Sequence, residues 1–547
     1  MGFAKKLTFS VLVAAAVITT TWNEGGYGDH VVAWTSIFAG IALLALLYSL
    51  LGRHTSTRGK QKPSTPPDLK PWLPAAIFAV IVLASLANVT HEQATLAERV
   101  TPHGGEEKML LAEGLRAKDT SPAFLPGTMF RAFTGQQIQL HLSILLIAFT
   151  LWMLLTRRSA FWILTLLVIN GLVLALAGIY YHFNDNSLLL GRFDPVNPSY
   201  FSAFRYHNHW SAFSLLTVTA GLGLAAFPGL KKVPRIAVRT LVGISWLAFL
   251  FAATLAQSRS LVLLLFGVFG LAVLQLLRMI LSRRKTGRRG KRAMILGACF
   301  LILTGTGALV VGQKILKGRA GDTSSLLQSW KEGQTPMRLL LARDTLKLVA
   351  AKPLWGWGLG CYRIAFTAAA GPEFRSDERQ HETAFNGRLI KTHFAHNDWL
   401  QYWSEIGTPA MFCLIATPWM LLRESRRSGR RNATSYWCFG GCALILVLAL
   451  WDFPLSNPAI LLLTTVVFMI GVKLRITLAD EAPTKKNSVA SSRTGKFHSS
   501  QTGSATEERR ETNSRTGAAR ERSITNSEPK LAKQCGESLY PCGFRLE

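Results

Sequence analysis

Acidic residues are few beside basic ones in this chain: 31 Asp and Glu face 61 Lys and Arg, a formal net charge of +30 at pH 7 over 547 residues. No group of Asp, Glu, His or Cys has zinc- or calcium-ligand spacing, so no resident metal is expected. The GWGLG pattern at 356–360 lacks the third glycine of a dinucleotide fingerprint and follows no strand, so no nucleotide cofactor is expected either. Cysteine is sparse. Of seven, Cys299, Cys413, Cys438 and Cys442 fall in apolar runs, Cys535 and Cys542 in the C-terminal tail, and Cys361 alone in a polar segment. A disulfide on that side would lack a partner, and none is expected. Cys438 and Cys442 read as small buried thiols on one helix face. No good small-residue cleavage site precedes TWNEGGYGDH, so the first apolar run is expected to be retained.

What the chain has in quantity is apolar sequence: 49% hydrophobic residues and a mean hydropathy of +0.24, the composition of a membrane protein. Apolar runs of ~20 residues, each about long enough to cross ~30 Å of hydrocarbon, recur along it. They centre on 6–22, 31–51, 71–89, 139–156, 159–181, 209–228, 236–256, 261–281, 293–313, 408–422, 435–455 and 458–474. The fold class that follows is an all-α polytopic integral membrane protein of about twelve transmembrane helices, with a large outer loop between helices nine and ten.

Orientation comes from the basic loops. Lys5 and Lys6 precede the first run, and Arg53, Arg58, Lys60, Lys62 and Lys70 follow the second. Arg157 and Arg158 separate the fourth and fifth, and Lys231, Lys232 and Arg235 follow the sixth. SRRKTGRRGKR at 282–292 follows the eighth, and RESRRSGRR at 423–431 follows the tenth. Strict alternation puts all of them on one side, the positive-inside pattern, with both termini cytoplasmic. That topology and anionic lipid headgroups account for the basic balance, and no nucleic-acid partner is expected. From about Thr477 onward Ser, Thr, Arg, Lys and Glu dominate, a composition expected to stay disordered. The chain divides into helices one to three with their outer loop (1–138), a core (139–475) and a basic tail (476–547).

Alternation leaves 90–138, 182–208 and 314–407 outside. In the last, Leu339, Leu340, Leu346 and Leu348 with Arg338, Arg343 and Lys347 predict an amphipathic helix of ~14 residues that ends before Lys352-Pro353. Gly356, Gly358 and Gly360 then form a tight turn. The stretch HFAHNDWLQYWSEIGTP at 393–409 predicts a helix starting near His396. Its Asn397, Gln401 and Glu405 fall on one face, pointed into a site, unless the segment is an interfacial anchor. Arg259, in QSRS at 257–260, lies at membrane depth, where it either meets an anionic partner or snorkels to lipid phosphates. FRYHNHWSAF at 204–213 gathers Arg205, His207, Asn208 and His209 for hydrogen-bonding or interface roles. In WDFPLSNPAI at 451–460, Asp452 either caps helix ends or holds an arginine.

In this order and on one side of the membrane, SRS, the arginine opening a helix before PLWGWGLG, HNDWLQYWSEIGTP and DFPL resemble the O-antigen ligase-like family. That family includes O-antigen ligases, O-antigen polymerases and bacterial protein oligosaccharyltransferases. The resemblance covers roughly residues 140 to 475. It implies a C-type glycosyltransferase-like fold and a role in building lipopolysaccharide or a related polysaccharide. The implied reaction moves a glycan from a polyprenyl pyrophosphate-linked donor to an acceptor hydroxyl on glycan, lipid or protein. It takes place at the outer face of the bacterial inner membrane, without a metal or a nucleotide sugar. The positions matching the family's functional residues are Arg259, Arg338 and His396. The family often has SRG where this chain has Ser258-Arg259-Ser260, which leaves the local geometry open.

Residue chemistry agrees. Guanidinium groups bind a departing pyrophosphate bidentately and keep their charge, a role for Arg259 and Arg338 with Arg343 and Arg363 in reserve. Histidine is the residue type suited to take the acceptor's proton, and His396 is the candidate base. Asn397 and Glu405 fix its helix or contact sugar hydroxyls, and Arg205, Asn208 and Asp452 complete the substrate-binding set. The implied mechanism is a single inverting displacement. Polymerisation at the same site is the nearest alternative, and a transporter or flippase of lipid-linked oligosaccharide is the alternative from another class.

Overall fold

The structure is a computed structural model that describes residues 3–28, 30–55, 68–91, 96–100, 106–110, 124–184, 188–192, 200–228, 233–256, 258–281, isolated positions between 295 and 313, 336–371, 374, 393–428 and 431–480. Its helices are α1 Phe3–Trp22, α2 Val31–Thr55, α3 Leu73–Ser85, α4 Arg131–Leu154, α5 Arg157–Phe183, α6 His207–Ala225, α7 Arg235–Ala256, α8 Arg259–Leu281, α9 Met337–Ala351, α10 Tyr362–Ala369, α11 Asp398–Ser428, α12 Ala433–Leu448 and α13 Pro458–Asp480. By length and composition, six helices among the described residues can cross a membrane: those beginning at Val31, Arg131, Arg157, Arg235, Asp398 and Pro458. Shorter apolar helices run Leu7–Trp22, Lys70–Ser85, Leu265–Arg278 and Ala433–Leu448. The expected run at 293–313 is described only at isolated helical positions. The basic stretch 282–292, most of the 56–67 loop and the tail beyond Asp480 lie outside the described residues.

Every backbone amide within a bilayer needs an internal partner, and these sequences supply them. Thr156 caps α5 by accepting from the Ser159 amide at 3.2 Å, and Asn432 caps α12 by accepting from Ser435 at 2.7 Å. At the centre is α6, buried along almost its whole length and packed against α5, α7, α8, α12 and α13. Small residues permit the close contacts. A Cβ on Gly441 would lie 2.1 Å from Thr219 Oγ1, and one on Gly171 2.3 Å from Thr217 Cγ2. Cys438 and Cys442 are free and buried together on α12, as expected.

Two expectations change. The chain is not purely helical: Leu96–Val100 (β1) and Glu106–Leu110 (β2) pair antiparallel, Leu96 opposite Leu110 and Val100 opposite Glu106. Each strand is only five residues, too short for its alternation to stand out in the sequence. The second change concerns α9, whose 15 residues end at Ala351, before Lys352 as expected. Its buried face is Leu340, Leu341, Asp344, Thr345, Leu348 and Val349, whereas Leu339 and Leu346 are 58% and 47% exposed. Helical spacing of three and four selects the first set, and both other leucines fall off it.

Above the bundle, α9 and α10 form a lid with its own apolar core of Leu340, Leu341, Leu348, Tyr362, Ile364, Phe366 and Phe374, closed by Met129 and Ala395. Each such leucine contributes roughly 1.5–3 kcal/mol on burial. The expected glycine turn stitches this lid down. Gly356, Gly358 and Gly360 have φ of 69°, 103° and 80°. Trp357 N donates to Ser404 O at 3.0 Å and Gly358 N to Glu405 O at 2.8 Å. The other half of the seam is Gly407, which breaks α11 with φ 71° and ψ 176°. Thr408 N just beyond it donates to Pro353 O at 2.9 Å. A short helix under the lid, residues 398–406, is thereby set apart from the apolar run that follows.

Candidate active site

His396 does not start a helix. It precedes α11 with φ 49°, a left-handed conformation that costs an L residue about 1 kcal/mol or more. Its neighbours fix it there. Asn397 Oδ1 accepts from Leu400 N at 3.0 Å, capping α11, while its Nδ2 donates to Leu450 O at 2.8 Å. Asp398, fully buried, accepts from Leu455 N at 2.6 Å, Ser456 N at 3.2 Å and Ser456 Oγ at 2.5 Å. The start of α11 is thus locked to the α12–α13 turn. That turn brings Asp452 to the imidazole, with His396 Nδ1 at 3.8 Å from Asp452 Oδ1.

Asp452 is the centre of the polar network. Asn208 Nδ2 donates to its Oδ2 at 2.6 Å and to the Tyr206 hydroxyl at 2.7 Å. Ser258 Oγ donates to Asn208 Oδ1 at 2.7 Å, which carries the network to the residue before Arg259. Arg338 reaches the same group from the lid, within electrostatic reach of Tyr206 and Asp452. Three distant segments of sequence therefore meet at one carboxylate. The side chain of Arg259 lies outside the described residues.

Burial raises the Asp452 carboxyl, but the His396 imidazole and the charges of His209 and Arg338 outweigh it and hold the group below its ordinary 3.8. A depressed folded value means that the stabilisation is present above about pH 3.8 and is lost as pH falls through the folded value. The share of thermal stability that Asp452 contributes should be lost on the acid side, and Asp452→Asn should flatten that limb. An identical acid limb in the variant would assign it to other carboxylates. Burial, aided by the Asp452 charge, pushes the Tyr206 phenol up, so it stays protonated. Its oxygen accepts from Asn208 Nδ2 at 2.7 Å.

Aromatic rings frame the network, and Phe453 is their hub. It is stacked between Phe394 (4.4 Å, 8°) and Tyr206 (5.4 Å, 9°), with His396 (4.7 Å, 87°) and His209 (4.8 Å, 90°) edge-on. Sequence reasoning passed over Phe453, Tyr206 and Asp398. The signal for the first was its place between Asp452 and Pro454 in the motif already singled out.

Other expected site residues do different work. Glu405 is 3% exposed, and its carboxylate accepts from Gly360 N at 2.9 Å and Tyr362 N at 3.2 Å, holding the lid. Gln401 Oε1 accepts from Ala395 N at 3.1 Å. The stripe expected to point into a cavity is therefore turned against the lid backbone, whose unpaired amides it satisfies. Asp452 meets histidine and asparagine directly and an arginine only at longer range; the turn's capping falls to Asp398 and Asn457. Arg343 pairs with Asp344 at 2.9 Å, Arg363 stacks 3.6 Å over the Phe133 ring, and Arg205 pairs with Glu24. A cavity of ≈ 20 Å³ lined by Trp246, Phe249 and Leu265 lies in the bundle and touches neither His396 nor Arg338.

The family model described as O-antigen ligase matches residues 244–415, a segment that holds Arg259, Arg338 and His396. Over that segment the chain is similar to O-antigen ligases, which supports an O-antigen ligase-like family. No curated protein matches the chain. The match supports an O-antigen ligase/polymerase-type membrane enzyme family. In this O-antigen ligase-like chain the matched segment ends before Asp452 and begins after Tyr206 and Asn208. The residues that tie the network together thus come from outside it.

Proposed function

We propose that this enzyme transfers a glycan from a polyprenyl pyrophosphate carrier to a hydroxyl of a glycan, lipid or protein acceptor. The reaction runs at the outer face of the bacterial inner membrane, in a bundle of about twelve spans with cytoplasmic termini. The observation that carries the reading is the meeting of His396, Arg338 and the Ser258-Arg259 helix start on the Asp452–Asn208 network.

In this mechanism Arg338 and Arg259 bind the pyrophosphate and take the charge that develops as the anomeric bond breaks. His396 accepts the acceptor's proton. Asp452, ionised beside it, favours the imidazolium that forms. Attack and departure lie on opposite faces of the sugar, so the product is inverted.

The test is transfer by purified protein in proteoliposomes supplied with a polyprenyl pyrophosphate-linked glycan. Arg338→Ala should raise the donor KM roughly tenfold, the loss of a charge-assisted pair. Retained anomeric configuration, or a glycosyl-enzyme trapped on the protein, would end the single-displacement reading. Unchanged kinetics in Arg338→Ala would end the cation's role.

A further inference from the structure

One wall of this site comes from a part of the chain that neither the matched segment nor the motifs include. The turn between α1 and α2 carries Glu24, whose carboxylate pairs with Arg205, the residue before Tyr206. Three residues on, Tyr27 lies half-buried against His209 (5.6 Å between ring centroids) and edge-on to Phe394 (6.4 Å). The turn thus packs against the aromatic frame of the site.

Within the turn Glu24 is held against its backbone preference, while the two glycines after it suit theirs. Glu24, Gly25 and Gly26 have φ of 52°, 60° and 102° in succession. Asn457, from the same α12–α13 turn as Asp452, donates to Gly25 O at 2.7 Å. A Cβ on Gly25 would stand 2.6 Å from Phe204 Cδ1 and 2.8 Å from Phe204 Cα. An ion pair that served only to join two helices could be made from a relaxed turn, whereas strain on this scale gathers where position matters.

Charge gives the position a meaning. Arg338 lies within electrostatic reach of Tyr206, and Arg205 is that residue's chain neighbour, so two guanidinium groups belong to the same end of the site. Each has a carboxylate within reach: Asp452 for Arg338, Glu24 for Arg205. The Arg205 side chain is 32% exposed and that of Glu24 12%, so a ligand can reach the cation without entering the core.

We propose that Glu24 is a placeholder for a donor phosphate. In the empty site it neutralises Arg205; when the pyrophosphate arrives, Arg205 exchanges the carboxylate for a phosphate oxygen and becomes a third anion-binding residue. No bond is made or broken in the exchange beyond the ion pair. The proposal rests on the donor class argued above.

The experiment measures affinity for polyprenyl pyrophosphate bearing no sugar, with the full chain in phosphatidylcholine nanodiscs, alongside thermal stability. Removing a half-exposed competing ion pair is worth a factor of roughly five. Glu24→Gln should therefore bind the carrier roughly fivefold more tightly than the parent although it melts lower. Arg205→Gln, with Glu24 left unpaired, should bind most weakly. The double variant should bind more weakly than Glu24→Gln alone.

Carrier binding by the parent with unchanged affinity in all three variants, and only the melting temperature lowered, overturns the placeholder and leaves the donor class standing. Failure of the parent to bind the carrier at all overturns both. A response to phosphatidylglycerol in place of the carrier would give Arg205 to a lipid headgroup and overturn the exchange.

Discussion

His396→Ala lowers the turnover of glycan transfer about 10²- to 10⁴-fold, the usual worth of a positioned general base, while carrier binding changes by no more than about twofold. The separation is expected because the imidazole sits on the Asp452 side of the network and Arg338 on the Tyr206 side, so removing one leaves the other's partners in place. A folding artefact is the main competing cause, since alanine at φ 49° is strained. His396→Asn separates the two, because asparagine tolerates the left-handed region and cannot take up the proton. Both variants should lose turnover alike, with the asparagine form melting closer to the parent. Near-parental turnover in His396→Asn would remove the histidine from the chemistry and leave it a structural part of the turn.

Gly407→Ala is expected to be the most damaging substitution for the fold of the lid. The (71°, 176°) conformation belongs almost solely to glycine, and a Cβ there would lie 2.1 Å from Leu354 O and 2.6 Å from Trp355 N. Both are backbone atoms on the facing strip, so no side-chain rotation relieves the clash. The cost is about 3 kcal/mol or more, enough to part 353–358 from 404–408 and release α9 with Arg338. Transfer should fall together with melting temperature and with protection of the lid amides from hydrogen exchange. Thr408→Val is the control: it loses two hydrogen bonds, one donated to Pro353 O at 2.8 Å and one accepted from Trp403 Nε1 at 3.0 Å, and should cost only about 1–2 kcal/mol. If Gly407→Ala melts like Thr408→Val, the seam does not hold the lid.

Much of this architecture could be read in advance because bilayers impose one period and one length on the chain. The helices beginning at Val31, Arg157, Arg235 and Pro458 fell where apolar runs of about 20 residues stood. The stop of α9 before Lys352 followed from the proline after it. The turn at Gly356, Gly358 and Gly360 was legible because glycine has few other reasons to recur at that spacing. Direction was harder. Which leucines of α9 face inward depends on what the lid encloses, so Leu339 and Leu346 were placed on the wrong face. Glu405 follows the same logic: its spacing from Asn397 is helical, but the amides of Gly360 and Tyr362 compete for it, and they lie more than forty residues away. The start of α11 moved from His396 to Asp398 because a left-handed residue leaves no trace in side-chain periodicity. Asp398 itself stood in plain sight in HND, yet its carboxylate is used by Leu455 and Ser456, partners that only the closed chain presents.

The cage around Phe453 bears on how any ligand of this site will be weighed. Its ring is gripped between Phe394 and Tyr206, and the His396 ring stands against its edge on a backbone that is itself pinned at Asn397 and Asp398. These side chains surrendered their rotamer freedom when the chain folded. A ligand arriving here has only its own motion to give up, so differences in affinity among candidate acceptors should track the acceptors' flexibility more than their size. A rigid sugar ring and a floppy one carrying the same hydroxyls would be told apart by entropy, with the protein's contacts unchanged.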